Sequence, residues 1–186
     1  MIGIILAGGR GGRMQQNTEK PLLEIGGLKM LDLVTNAAER SIQKKVFIAV
    51  SPNTPATKKY CSEKRIPFIE TRGKGYHEDL ADLLNKYSSF VSIASDIPFL
   101  KSDTIDTLIK AYDGTSITGC ISLEFVPEGV KTAYVIECDG KLYAAIGVNV
   151  VTNSKRSKII VLNDPLLGIN VNTIGELEVA RRIYRK

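Results

Sequence analysis

A chain of 186 residues, 44% hydrophobic and 24% charged, suits one buried core and leaves no long stretch disordered by composition. Its three cysteines (Cys61, Cys120, Cys138) are odd in number and widely spaced, which argues against a disulfide framework and a zinc site and for a reducing compartment. The lone histidine, His77, leaves little room for a catalytic triad or a multi-histidine metal site. The net charge of +5 is scattered over pairs such as Lys44-Lys45, Lys58-Lys59 and Arg181-Arg182, with one cluster at Lys155-Arg156-Ser157-Lys158. That is the pattern of solvated faces, able to steer small polyanions but not a nucleic-acid stripe.

The first segment, Met1-Ile2-Gly3-Ile4-Ile5-Leu6, lacks a basic leader and runs straight into glycines, so it reads as a buried strand rather than a signal peptide. Strands are then expected at 45–50, 67–69 and 90–94, with helices at 30–40, 55–64, 78–87 and 104–112. The second helix is announced by Thr54 as N-cap and Pro55 at the first helical position. After about Gly114 the pattern changes to short β segments at 117–123, 133–137 and 141–151, with Asp139-Gly140 as a hairpin signal. A last helix at 174–184 opens on Thr173-Ile174-Gly175-Glu176, a capping box. No apolar run is long enough to span a bilayer, and no linker or repeat interrupts the chain. The expectation is one cytoplasmic domain over 1–186, with a Rossmann-like, mostly parallel sheet flanked by helices and a small antiparallel β elaboration in the C-terminal third.

The chemistry gathers where the first strand ends, at Leu6-Ala7-Gly8-Gly9-Arg10-Gly11-Gly12-Arg13-Met14, followed by Lys20-Pro21-Leu22. Ligands of open α/β sheets bind beyond the carboxyl ends of the strands. Glycines there let backbone N–H groups face phosphate oxygens, and Arg10, Arg13 and Lys20 add the positive charge that a departing pyrophosphate needs. The GxxxxGK[ST] phosphate loop is absent, and a GxGxxG starting at Gly9 fails because Met14 holds its last glycine position. Asp96, in Ala94-Ser95-Asp96-Ile97-Pro98, follows another strand end, where it can ligate Mg²⁺ or simply form a turn.

Together these stretches, with Glu19-Lys20-Pro21-Leu22, resemble the nucleotidyltransferases of nucleotide-diphospho-sugar transferase fold. Ser51-Pro52-Asn53-Thr54-Pro55, Gly73-Lys74-Gly75-Tyr76-His77-Glu78-Asp79-Leu80 and Gly147-Val148-Asn149-Val150-Val151 narrow the resemblance to the archaeal adenosylcobinamide-phosphate guanylyltransferases. The resemblance implies transfer of GMP from GTP to adenosylcobinamide phosphate, with release of pyrophosphate, in cobamide (vitamin B12) assembly. It implies that Leu6, Ala7, Gly8 and Gly9 hold base and ribose, and that Gly11, Gly12 and Arg13, with Arg10 nearby, hold the phosphates. Lys20 would neutralise the α-phosphate, so Arg13, Lys20 and Asp96 form the implied catalytic set, with Asp96 the Mg²⁺ ligand. Ser51, Asn53 and Thr54 would close over guanine with Gly73, Lys74 and Gly75. Asn53 and Asp79 suit base recognition, but equally a turn and a first helical turn.

One departure stands out. Relatives in the superfamily often offer a second, acidic metal ligand from the C-terminal part, where this chain has Asn149, Asn170 and Asn172. An ionised acceptor phosphate needs no general base, which agrees with the single histidine. Two other readings are weighed: a molybdenum-cofactor guanylyltransferase, and a non-catalytic GTP-binding regulator. Neither nucleic acid nor a membrane is an expected partner, and a homodimer is left open.

Overall fold

The computed structural model describes every residue except 13, 15–17, 42–44, 133 and 186. In chain order its elements begin β1 (Ile2–Leu6), β2 (Glu24–Ile25), β3 (Leu28–Lys29), α1 (Met30–Glu39), β4 (Val46–Val50), α2 (Pro55–Lys64) and β5 (Phe68–Glu70). They continue α3 (Tyr76–Lys86), β6 (Ser89–Ala94), α4 (Ser102–Lys110), β7 (Ser116–Ser122), β8 (Val135–Cys138), β9 (Lys141–Thr152), β10 (Ser157–Val161) and α5 (Ile174–Tyr184).

β1 is the pivot. Successive side chains of a strand face opposite sides, and here Ile4 and Ile5 are both fully buried, one in each of two apolar layers. The Ile5 side packs with Leu31 and Val34 of α1, Cys61 of α2 and Ile105 of α4; the Ile4 side packs with Leu80, Leu83 and Leu84 of α3. β1 pairs in parallel with β4 on one side and β6 on the other, and β5 extends the β4 side. The chain moves outward through β4 and β5 and returns to β6. The carboxyl end of β1 is therefore a topological switch point, where an open sheet leaves a crevice.

The α/β, mostly parallel architecture anticipated from sequence is present, and its antiparallel part belongs to the C-terminal third. That part is joined to the main sheet: β9 runs antiparallel between β6 and β7, carries β8 along its first half, and β7 then takes β10 in parallel. α2 and α5 fall on the expected limits. The edge strand β10 was not anticipated, because its charged start lies in the Lys155–Lys158 cluster and masks the short apolar run behind it. The small β2–β3 hairpin, packed under α5 with Ile25 fully buried, was also not anticipated. The expected strand over 133–137 begins at Val135 in the structure, and Ala133 lies outside the described residues.

Two caps differ from expectation. Thr54 does occupy the N-cap position of α2, but its hydroxyl turns back and accepts the Ser51 N–H at 3.2 Å. The first-turn N–H groups of Ala56 and Thr57 instead donate to the Glu19 carboxylate at 2.7 Å each, and the Thr57 hydroxyl adds a third bond at 2.6 Å. A carboxylate complements the positive end of a helix with charge-assisted bonds that a neutral hydroxyl cannot match. At α5 the Thr173 hydroxyl accepts the Glu176 N–H at 3.3 Å, which is half of the expected capping box. The other half is missing: the Glu176 carboxylate accepts the N–H groups of Asn172 and Lys131.

Glu19→Ala should therefore lower the unfolding free energy by about 1–2 kcal/mol, the range for loss of a helix cap, with no change in urea m-value. An unchanged urea midpoint would show that water replaces the carboxylate at no loss.

Candidate functional site

Two adjoining cavities, of about 420 and 470 Å³, open beyond the carboxyl ends of β1 and β6. Leu6, Gly9 and Arg10 line both, so the glycine-rich turn forms the ridge between them. The first cavity is walled by Asn53, Gly73, Lys74, Gly75 and Asp79, the second by Gly11, Gly12, Lys20, Asp96, Gly147 and Asn172.

The walls of the first cavity are tied together by a relay of hydrogen bonds across three loops. The Ser51 hydroxyl donates to the Gly8 carbonyl at 2.7 Å and accepts the Asn53 N–H at 3.1 Å. Asn53 Nδ2 donates to the Gly73 carbonyl at 3.0 Å, and the Gly73 N–H donates to Asp79 Oδ1 at 3.1 Å. Asn53 and Asp79 thus have the structural roles that the sequence left open, and both also face the cavity. Gly73 sits at φ +66, and a Cβ there would come within 2.6 Å of Asn53 Nδ2 and 2.8 Å of Ser51 Oγ.

In the second cavity Lys20 Nζ donates to Asp96 Oδ2 at 2.6 Å and to Asn172 Oδ1 at 3.0 Å. Both charged side chains are mostly buried, with 18% and 12% of their surface exposed. Asp96 Oδ1 is buried with no hydrogen-bond partner among the described residues. The Val171 N–H donates to the Asp96 carbonyl at 2.8 Å, which holds the segment bearing Asn172 against the end of β6. Of the three asparagines offered by the sequence, the structure brings Asn172 to the Lys20–Asp96 pair. Asn149 turns its amide toward the Ser92 hydroxyl at 3.4 Å within the sheet, and Asn170 is buried beside Gly147.

Gly147 lies in a bulge. The β7–β9 register shifts between Thr118 and Cys120, and Gly147 takes φ +82 with its missing Cβ 2.8 Å from Ala94 Cβ. A side chain there would push against the end of β6, next to Asp96.

Leu6, Ala7, Gly8, Gly9, Arg10, Gly11, Gly12, Lys20, Asn53, Gly73, Lys74, Gly75, Asp79 and Asp96 all line one cavity or both, or join the relay behind them. Ser51 and Thr54 are buried behind the first cavity, supporting the turn rather than facing the opening. Arg13 lies outside the described residues. His77 is exposed and meets Tyr76 edge to face.

Tyr76 is a residue to which the sequence gave no role. It lines both cavities and is 52% exposed; the helix expected from residue 78 begins at Tyr76, and the only advance signal was an aromatic side chain directly after Gly75. Partial desolvation raises the phenol above its ordinary value, and the side chain can offer a ring face and a hydroxyl.

The sequence model of the MobA-like NTP transferase domain matches residues 3–124, a span that holds the glycine-rich turn, Lys20, the turns at 51–54 and 73–75, and Asp96. The chain belongs to this family. As a MobA-like NTP transferase it is a nucleotidyltransferase, and its relatives agree. It is 32% identical over 200 residues to the adenosylcobinamide-phosphate guanylyltransferase of Methanocaldococcus jannaschii, covering 100% of this chain and 98% of that protein. It is 27% identical over 141 residues to the bifunctional protein GlmU of Buchnera aphidicola, covering 74% of this chain but only 28% of that longer protein. In structure it is similar to a CMP:2-keto-3-deoxy-manno-octonic acid synthetase solved in complex with CTP. The TM-score is 0.71 at 15% identity, over 98% of this chain and 97% of that one, a likeness of fold alone. Among the described residues no helix is long and apolar enough to cross a membrane, and no three or more acidic, histidine or cysteine residues gather as a metal cluster.

Gly73→Ala should weaken nucleotide binding by at least about tenfold, because the new methyl forces Asn53 and Ser51 apart and misplaces the wall of the first cavity. Calorimetry with the nucleoside triphosphate checks this; unchanged affinity in a folded variant would remove the relay from the binding site.

Proposed function

We propose that this MobA-like NTP transferase is a guanylyltransferase that moves GMP from GTP to adenosylcobinamide phosphate and releases pyrophosphate. The observation that carries the proposal is the pair of adjoining cavities with Lys20 held between Asp96 and Asn172 where the second meets the glycine-rich turn. Similarity along the whole chain to the Methanocaldococcus jannaschii guanylyltransferase supports the choice of substrates.

On this reading guanine enters the first cavity. Guanine presents donors at N1 and N2, which suit the second carboxylate oxygen of Asp79, and acceptors at O6 and N7, which suit the N–H groups of Lys74 and Gly75. Leu6, Ala7, Gly8 and Gly9 back the base and ribose. The triphosphate then runs over the ridge into the second cavity, to the backbone of Gly11 and Gly12, with Arg10 and Arg13 supplying charge.

Lys20 meets the α-phosphate there. An oxygen of the acceptor phosphate attacks the α-phosphorus, a new P–O bond forms, and the bond to the β-phosphate oxygen breaks with its electrons leaving on pyrophosphate. The acceptor oxygen is already ionised, so the protein has only to align two polyanions and stabilise the charge that builds on the leaving group.

The donors beside Lys20 suit a Mg²⁺ ion. Asp96 Oδ1 is buried without a partner among the described residues, Oδ2 is held by a lysine that a phosphate could draw away, and Asn172 brings an amide oxygen next to them. One carboxylate and one amide suit a hard cation that keeps most of its coordination for phosphate oxygens and water, and its contribution would be to neutralise those oxygens. Asp96 and Asn172 are the residues that would hold it.

The test offers labelled GTP with adenosylcobinamide phosphate and molybdopterin together, then identifies the products by mass. Label on adenosylcobinamide-GDP alone is the expected result, with ATP, CTP and UTP each at least about tenfold weaker as donors, since a mismatched base leaves buried polar groups unpaired. Label only on molybdopterin would move the assignment to a molybdenum-cofactor guanylyltransferase. No label on either, with GTP bound, would favour a non-catalytic regulator.

A further inference from the structure

Glu176 is a buried carboxylate, 2% exposed, to which the transfer reaction as described gives no task. Burying a carboxylate is unfavourable unless its oxygens are satisfied. Here each oxygen accepts one backbone N–H from a different part of the chain. Oε2 takes the Asn172 N–H at 2.7 Å, and Oε1 takes the Lys131 N–H at 3.1 Å from the loop ahead of β8.

At the start of α5 the Thr173 hydroxyl already caps the Glu176 N–H, so both carboxylate oxygens are left for donors outside the helix. What the carboxylate does hold is the residue whose side chain accepts from Lys20. The Asn172 N–H ends on Glu176 while Asn172 Oδ1 ends on Lys20 Nζ, so the path from Glu176 to the Lys20–Asp96 pair crosses a single residue. The neighbouring packing stiffens that path: Val171 and Leu177 are buried in one apolar cluster, against which Val130 of the loop also packs.

The Lys131 end matters as well. β8 pairs with the first half of β9, while β6 pairs with the second half, as far as Val148. β8 therefore lies beyond the carboxyl end of β6, on the side where the second cavity opens. One carboxylate fastens the loop leading into that strand and the asparagine beside Lys20.

We propose that Glu176 is a positioning residue: it fixes Asn172 against Lys20 and ties that contact to the loop ahead of β8. This rests on the reading of Lys20 and Asn172 given under Proposed function. Glu176 acts only through Asn172, so its loss alters turnover without removing any group that touches the nucleotide.

Glu176→Gln keeps the volume but presents one acceptor oxygen and one N–H₂, so it can satisfy only one of the two backbone N–H groups. The expected result is a fall in kcat of about tenfold or more, with KM for GTP changed less than about twofold. The same substitution made in an Asn172→Ala background should cause no further fall, since the two act in series. Thr173→Ala, which weakens the same helix start but leaves the carboxylate in place, should keep kcat unchanged.

An unchanged kcat in Glu176→Gln, or an equal loss with and without Asn172, would overturn the proposal. If Glu176→Gln does not fold, Glu176→Asp, which withdraws the carboxylate by one methylene, is put through the same cycle. Amide hydrogen exchange separates this inference from the choice of substrate. Whether or not the wild-type protein turns over adenosylcobinamide phosphate, the Glu176→Gln variant should speed exchange at one at least of Lys131 and Asn172, and the Thr173 variant at neither. Unchanged protection at both amides would overturn the proposal on its own.

Discussion

Lys20 and Asp96 are 76 positions apart in sequence, and their contact at 2.6 Å brings opposite charges together where the parallel sheet ends. The cost of desolvating both is offset only while the pair stays intact and the remaining polar atoms are served, so the surrounding backbone has to be held closely. Asn172 serves the lysine from a third segment, the Val171 N–H fixes that segment to the Asp96 carbonyl, and Gly147, lacking a Cβ, lets β9 lie close against the end of β6. One carboxylate oxygen is left without a protein partner among the described residues. An arrangement of this kind is stable alone yet can be reopened by a ligand that carries its own negative charge and competes for the lysine.

The two cavities are not independent, because the sequence on either side of the Lys20–Asp96 pair is anchored to both of them. Glu19, next to Lys20 in the chain, caps α2, and α2 begins directly after the Ser51–Thr54 turn that walls the first cavity. On the proposed reading, the nucleotide's base end and phosphate end are therefore held by parts of one connected frame. A shift of the turn at either end would be felt as a misplaced lysine, and in a reaction that depends on alignment a small misplacement weighs heavily.

Much of this was legible in the sequence, for reasons that can be named. The run of glycines and basic residues after an apolar strand, and Asp96 after another, can be read locally, and the switch-point rule then places both in one crevice. α2 and α5 were bounded correctly because Pro55 and Thr173 act within a few residues of themselves. What stayed hidden was carried by distant partners. The true cap of α2 is Glu19, 37 positions before Ala56, and no spacing rule anticipates it. Which of three asparagines would stand beside Lys20 depended on how β9 and the segment before α5 lie against β6. Tyr76 belongs to two cavities only because α3 starts where they meet.

If Lys20 acts where the charge of departing pyrophosphate develops, it contributes little to holding GTP and much to turning it over. Steady-state kinetics of Lys20→Ala, with GTP and the phosphorylated acceptor, test this most directly. The account predicts a fall in kcat on the order of a hundredfold or more, the usual effect of removing a transition-state donor, with KM for GTP raised less than about threefold. Normal turnover combined with a large loss of GTP affinity would contradict it and place Lys20 in ground-state binding.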